Sequence, residues 1–254
     1  MTRATNSSLP RLGAIYPDDS WVDVESKAVV AEFQRFLPDS VEMVSAATYV
    51  PAADNTLDLA IALAENGDIE EAARRLLRYQ PCCYAYYCTT ISFARGVGGD
   101  LDILRRITEA TGKPATTTST AMIKALRALD VSRVALASPY LPDVEQQFVA
   151  FIQAHGIEVA RSCSLSLKQG HSIVPPEDIC QLAESADIAD AEAVFVGCTG
   201  QKLGALIDDM EARLGKPVLT ANQVTSWHAL QLMRLPAKLK GCGRLFSGIV
   251  TRAD

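Results

Sequence analysis

The sequence predicts an α/β protein of two pseudo-symmetric lobes, each a parallel sheet flanked by helices, with the active site in the cleft between them. Two observations predict it. Short apolar runs rich in β-branched residues alternate with longer stretches of helical period, the pattern of a parallel sheet covered on both faces. The same signals then recur in order in the second half. Arg11-Leu-Gly-Ala-Ile-Tyr-Pro17 returns as Arg133-Val-Ala-Leu-Ala-Ser-Pro139, Cys88-Thr89 as Cys198-Thr199, Gly112-Lys113-Pro114 as Gly215-Lys216-Pro217, and Lys124-Ala125-Leu126 as His228-Ala229-Leu230. An (αβ)8 barrel could be written from the same elements, and this internal repetition decides against it. The first copy carries a glycine-rich excess at Ser92–Gly99, which is expected to form a mobile loop.

The first strand is Arg11–Tyr16, an apolar run stopped by Pro17. A helix over Ser26–Phe36 leads to a strand at Val41–Ala46. One long helix, Asn55–Tyr79, follows with Asn55 or Thr56 as N-cap, and then the strand Cys83–Tyr87. A helix over Gly99–Thr111, ended by Gly112, precedes the strand Ala115–Thr117, and Ser119 caps a helix running to Ala128. The second copy gives strand Arg133–Ala137, helix Pro142–His155 stopped by Gly156, strand Ile157–Arg161 and helix Pro176–Ala186. It closes with strand Ala193–Gly197, helix Gly204–Leu214 stopped by Gly215, strand Val218–Thr220 and helix Thr225–Leu235. The lobes are expected to comprise 1–116 with 228–254, and 117–227.

A chain of 254 residues that is 48% hydrophobic can bury a large core. With 24 Lys and Arg against 30 Asp and Glu, a net charge of −6 and no basic cluster, it lacks the footprint of a nucleic-acid binder. No run approaches the roughly 18 apolar residues of a membrane span, and Met1–Gly13 does not resemble a signal-peptide core, so a cytoplasmic protein is expected. Its seven cysteines should then remain thiols.

Two of those thiols invite chemistry. Cys88 and Cys198 each end an apolar strand and precede threonine, where free N–H groups of a following helix should lower the thiol pKa. A single Cys-Thr would read as packing; equivalent copies in a duplicated chain point to function. Other candidates weigh less. Arg95 reads as a surface arginine, and Gly96-x-Gly98-Gly99 lacks Rossmann or P-loop spacing. His155, His171 and His228 are scattered and Cys82-Cys83 has no partner motif, so no metal site is expected. Cys163, Cys180 and Cys242 read as core or surface thiols, and Trp21 and Trp227 as packing residues that could wall the cleft.

Cys88-Thr-Thr-Ile-Ser-Phe-Ala-Arg-Gly96, Thr116-Thr-Thr-Ser-Thr-Ala121, Ala125-Leu-Arg-Ala-Leu129, Val134-Ala-Leu-Ala137 with Tyr140, and Gly241-Cys-Gly-Arg-Leu-Phe246 carry a resemblance over nearly the whole chain. They resemble the aspartate/glutamate racemase superfamily, and within it the arylmalonate decarboxylases and maleate cis-trans isomerases. The resemblance implies a homo-oligomeric enzyme without cofactor that acts on a small carboxylic acid between two lobes. Cys198 matches the thiol that handles the proton in the decarboxylases. Cys88 matches a position that is glycine there and cysteine in racemases and maleate isomerases. Thr89, Thr90 and Tyr140 match hydroxyl donors to a substrate carboxylate, and Thr199 and Gly200 lie where backbone N–H groups complete the cradle. Pro17 and Asp18 fall in the first substrate loop, where maleate isomerases carry asparagine and amino-acid racemases Asp-Ser, so neither substrate fits closely.

Three readings follow. The leading one is an isomerase or racemase using Cys88 and Cys198 as a thiol pair, for proton transfer or for thiol addition to a double bond, on a small carboxylic acid. The second is an arylmalonate-type decarboxylase with Cys198 as proton donor, and the third a non-catalytic binder of small acids. Deuterium uptake without CO2 release separates the first from the second.

Overall fold

Strand order is the same in both halves of the chain. Among the described residues, 9–18 and 25–248 of a computed structural model, eight strands form two four-stranded sheets rather than one closed barrel. The first half runs β1 (Arg11–Asp18), α1 (Glu25–Arg35), β2 (Glu42–Tyr49), α2 (Leu57–Glu65), α3 (Asp68–Leu76) and β3 (Cys83–Tyr86). It continues through α4 (Thr89–Phe93), α5 (Gly99–Thr111), β4 (Ala115–Thr117) and α6 (Thr118–Ala128). The second half runs β5 (Arg133–Ser138), α7 (Pro142–Ala154), β6 (Glu158–Ser164), α8 (Pro176–Ala186), β7 (Ala193–Val196), α9 (Ile207–Leu214), β8 (Val218–Thr220) and α10 (Ala221–Leu232).

The sheets are ordered β2-β1-β3-β4 and β6-β5-β7-β8, with every pairing parallel. Register repeats too: Leu12 lies between Met43 and Cys83, and Val134 between Val159 and Ala193. The inner strands β3 and β7 are buried along their whole length because helices cover both faces.

Several boundaries differ from expectation. The long helix expected over 55–79 is two helices, because Gly67 adopts φ +83° and the Asn66 side chain accepts the Asp68 N–H at 3.1 Å. A 3-10 turn, Leu77–Tyr79, completes that segment. Thr56 is the N-cap of α2, accepting from the Leu59 N–H. Ser119 is not a cap; Thr117 is, and α10 starts at Ala221 behind a capping box made by Thr220 and Gln223. Ser92–Gly99 is not a loop: it forms the end of α4, a short turn and the first residue of α5. Arg95 is fixed there by ion pairs with Glu65 at 3.3 Å and Asp102 at 3.0 Å.

One hydrophobic core joins the halves. Leu12 and Ala14 of β1, Val134 and Leu136 of β5, Met122 and Leu126 of α6, and Val224 and Leu230 of α10 share a single buried cluster. Separate clusters lie beneath the outer helices of each sheet. Polar pegs cross the central core: Thr118 to Thr225 at 2.8 Å, Thr116 to His228 at 2.7 Å, and Tyr87 to Ser226 at 2.8 Å. Trp227 belongs to this core, whereas Trp21 lies outside the described residues. Among the described residues no helix is long and apolar enough to cross a membrane.

Candidate active site

The carboxyl ends of β1, β3, β5 and β7 face one cleft between the sheets, where open parallel sheets hold ligands. It encloses about 890 Å³ counted out to its solvent-filled mouth. All nine residues singled out from the sequence line it: Cys88, Cys198, Pro17, Asp18, Thr89, Thr90, Tyr140, Thr199 and Gly200.

Cys88 is the N-cap of α4, and its Sγ accepts the Ile91 N–H at 3.5 Å. The lowered pKa expected for this thiol is not what the site produces. Burial pushes it up to about 12, the N–H groups of Ile91 and Thr90 only partly oppose this, and negative charge on Cys198 adds to the rise. Desolvation of a thiolate outweighs one turn of helix dipole. Cys198 differs again. No helix starts beside it, since α9 begins only at Ile207; the thiol instead occupies a turn closed by Gln201 N–H to Cys198 O at 3.3 Å. Its φ of +78° lies in the left-handed region, which costs a non-glycine residue on the order of 1–3 kcal/mol.

Tyr140 leaves β5 and enters the cleft fully buried. Gly197 makes room for it, because a Cβ there would lie 3.2 Å from the ring and 3.3 Å from the hydroxyl oxygen. Burial, followed by the charge of Cys198, drives its phenol pKa well above the usual value, while the neighbouring Thr90 and Thr89 hydroxyls act in the opposite sense. Tyr140 therefore keeps its phenol proton. The hydroxyl oxygens of Thr89, Tyr140 and Ser172 are all buried in this cavity. Thr199 turns its hydroxyl away, donating to the Tyr87 carbonyl at 3.4 Å, so what it can offer the cleft is backbone.

Ser172 was not singled out from the sequence, and His171 was considered only as a metal ligand. Both lie on a 3-10 turn, His171–Ile173, between β6 and α8, and Ser172 packs within 3.3 Å of where a Gly200 Cβ would sit. Nothing in the spacing of that connector announces it. Apolar side chains complete the lining: Val29 and Phe33 of α1, Val50, Leu59 and Leu63 of α2, and Ile91 of α4, with Asn55 and Thr56 at the start of α2. Among the described lining residues there is no lysine or arginine, and Asp18 is the one carboxylate.

These features define a class: a two-lobed α/β protein with a pair of thiols and a set of hydroxyl donors in an interlobe cleft. The chain belongs to the arylmalonate decarboxylase family, whose model matches residues 41–246. It is 30% identical over 251 residues to arylmalonate decarboxylase of Bordetella bronchiseptica, covering 94% of this chain and 98% of that protein. It is 27% identical over 172 residues to maleate isomerase of Geobacillus stearothermophilus, covering 65% of this chain and 68% of that one. A solved structure of an arylmalonate decarboxylase variant, with one glycine changed to cysteine and one cysteine to serine, in liganded form, superimposes with a TM-score of 0.82. The two are 30% identical, and the match covers 94% of this chain and 99% of the variant.

Proposed function

We propose that the protein is a cofactor-independent isomerase or racemase that moves a proton at the carbon next to the carboxylate of a small acid, using Cys88 and Cys198. The observation that carries this reading is that both thiols and the buried hydroxyls of Thr89, Tyr140 and Ser172 line one cavity.

Removing the α-proton of a carboxylate builds an enediolate, whose second negative charge needs preorganised donors. Thr89, Thr90 and Tyr140 supply hydroxyls, and the turn at Thr199 and Gly200 supplies backbone N–H groups. The two thiols divide the proton work. Cys88, held protonated by its burial, donates to one face, while the more accessible Cys198 acts as the base on the other. Transfer through both faces inverts the centre, and the reverse reaction exchanges the roles.

The lining also speaks to substrate class. A dicarboxylate with two free charges would meet no lysine or arginine among the described lining residues and would face Asp18. One carboxylate fits the hydroxyls, and the wall of Val29, Phe33, Val50, Leu59, Leu63 and Ile91 suits an uncharged substituent on the α-carbon. That same wall favours a second reading: a carboxylate pressed against it would be poorly solvated and would depart as CO2, with Cys198 protonating the product. The full-length decarboxylase relative is in keeping with this.

Heavy water separates the two. Incubation of α-aryl and α-alkyl acids should place deuterium on the α-carbon with loss of optical purity and no CO2; CO2 release from the corresponding malonates, with no exchange of the monoacids, would replace the first reading by the second. We further propose a cytoplasmic homo-oligomer, with lobes of 1–116 plus 228–254 and 117–227.

A further inference from the structure

We infer that Asn222 is a positioning residue for the Cys198 turn, the second-lobe counterpart of what Ser92 and Ser119 do beside Cys88. Asn222 is 1% exposed, and its Nδ2 donates to the Thr199 carbonyl at 3.1 Å and the Gln201 carbonyl at 3.0 Å. One amide thus grips both ends of the segment that follows the thiol. In a trans peptide the C=O and N–H point in opposite directions. Drawing the Thr199 carbonyl toward Asn222 therefore aims the Gly200 N–H away from it, on the residue that lines the cavity.

The turn needs such a grip. Cys198 is left-handed at φ +78°, and no helix continues from it to hold that geometry. The first lobe supplies the same grip with different chemistry. Ser92 Oγ donates to the Cys88 carbonyl at 2.6 Å and reaches the Thr89 carbonyl at 2.9 Å, and Ser119 Oγ donates to Thr89 at 3.3 Å. Ser119 and Asn222 occupy the same place, two residues after the caps Thr117 and Thr220 of α6 and α10. In both lobes the carbonyl of the residue after the cysteine is the one held.

The test is alkylation of the folded, full-length protein by iodoacetamide, resolved at each cysteine by peptide mass spectrometry. Asn222→Ala is expected to change the Cys198 rate at least fivefold and leave Cys88 within twofold; Ser119→Ala is expected to do the converse. Asn222→Gln, which keeps the amide, should fall between wild type and Asn222→Ala at Cys198. A Cys198 rate within twofold of wild type in Asn222→Ala, or equal changes at both thiols, overturns the inference. Should Asn222→Ala fail to fold, the wild-type protein decides by NMR: the Asn222 carboxamide protons should exchange with solvent at least tenfold more slowly than those of exposed Gln34, and equal exchange overturns it. The kinetic consequence, a fall in kcat at little-changed KM, rests on the proposed function. The alkylation readout does not, so failure of one leaves the other standing.

Discussion

Tyr140 and Glu145 are joined through a single hydroxyl: Ser138 Oγ accepts the Tyr140 N–H at 3.2 Å and donates to the Glu145 carboxylate. Ser162 donates to the other Glu145 oxygen, and Ser164 donates to the Tyr140 carbonyl, so the residue that carries the cleft phenol is clamped at both of its peptide bonds. Burial raises the Glu145 pKa from 4.5, with the two serines opposing. A carboxyl raised on folding favours its protonated form in the native state. Its stability contribution is present below pH 4.5 and is lost as pH climbs through the raised value. Glu145→Gln, which stays neutral, is expected to flatten that decline in a series of melting temperatures from pH 4.5 to 8.

The two thiols should separate by reaction. Cys88→Ala and Cys198→Ala are each expected to abolish racemisation of an optically pure acid, with a loss of at least about 10³ in kcat/KM, because each face then lacks its proton carrier. Polarimetry with deuterium incorporation reads this. Survival of inversion in either single variant would contradict a two-thiol mechanism.

Donors that act in the transition state and donors that only hold the ligand should differ kinetically. Tyr140→Phe is expected to lower kcat by about 10²–10³, the usual effect of removing one oxyanion donor. Ser172→Ala is expected to raise KM roughly fivefold to tenfold with kcat little changed, consistent with a net hydrogen bond of about 1 kcal/mol. Steady-state kinetics of the purified variants decide.

His228 provides an acid-side test. Burial first, then the charge of Lys124, lowers its pKa to about 4, and its Nδ1 lies 2.7 Å from Thr116 Oγ1. A histidine depressed on folding is stabilising when neutral. Its contribution is full above pH 6.5 and is lost as pH falls toward 4, amounting to about 3 kcal/mol across that interval. Urea unfolding at pH 7 and pH 4.5 should show this loss in wild type and a smaller one in His228→Gln.

The sheet pair and the cleft were legible because parallel strands buried on both faces read as continuous apolar runs, and because the chain states them twice. Cys88 and Cys198 were legible because each ends such a strand in a repeated motif, whereas Tyr140 and Gly200 came only from the family resemblance. Ser172 was not: it lies on a connector with neither period nor repeat, and reaches the cleft through the packing of β6 and α8. The break at Gly67 hid inside an apolar pattern that runs on through both helices. The Cys88 pKa went the opposite way to expectation because desolvation depends on what covers the thiol, which the local sequence does not contain.

The hydroxyls of Thr89, Tyr140 and Ser172 are buried in the cleft, where the carboxylate of an acid could accept from them. A molecule that satisfies them adds its binding free energy to the fold, about 2.7 kcal/mol at a hundredfold excess over Kd. Heating the protein with a library of organic acids should therefore rank them by complementarity, and bring the natural substrate to the top before any turnover assay has been devised.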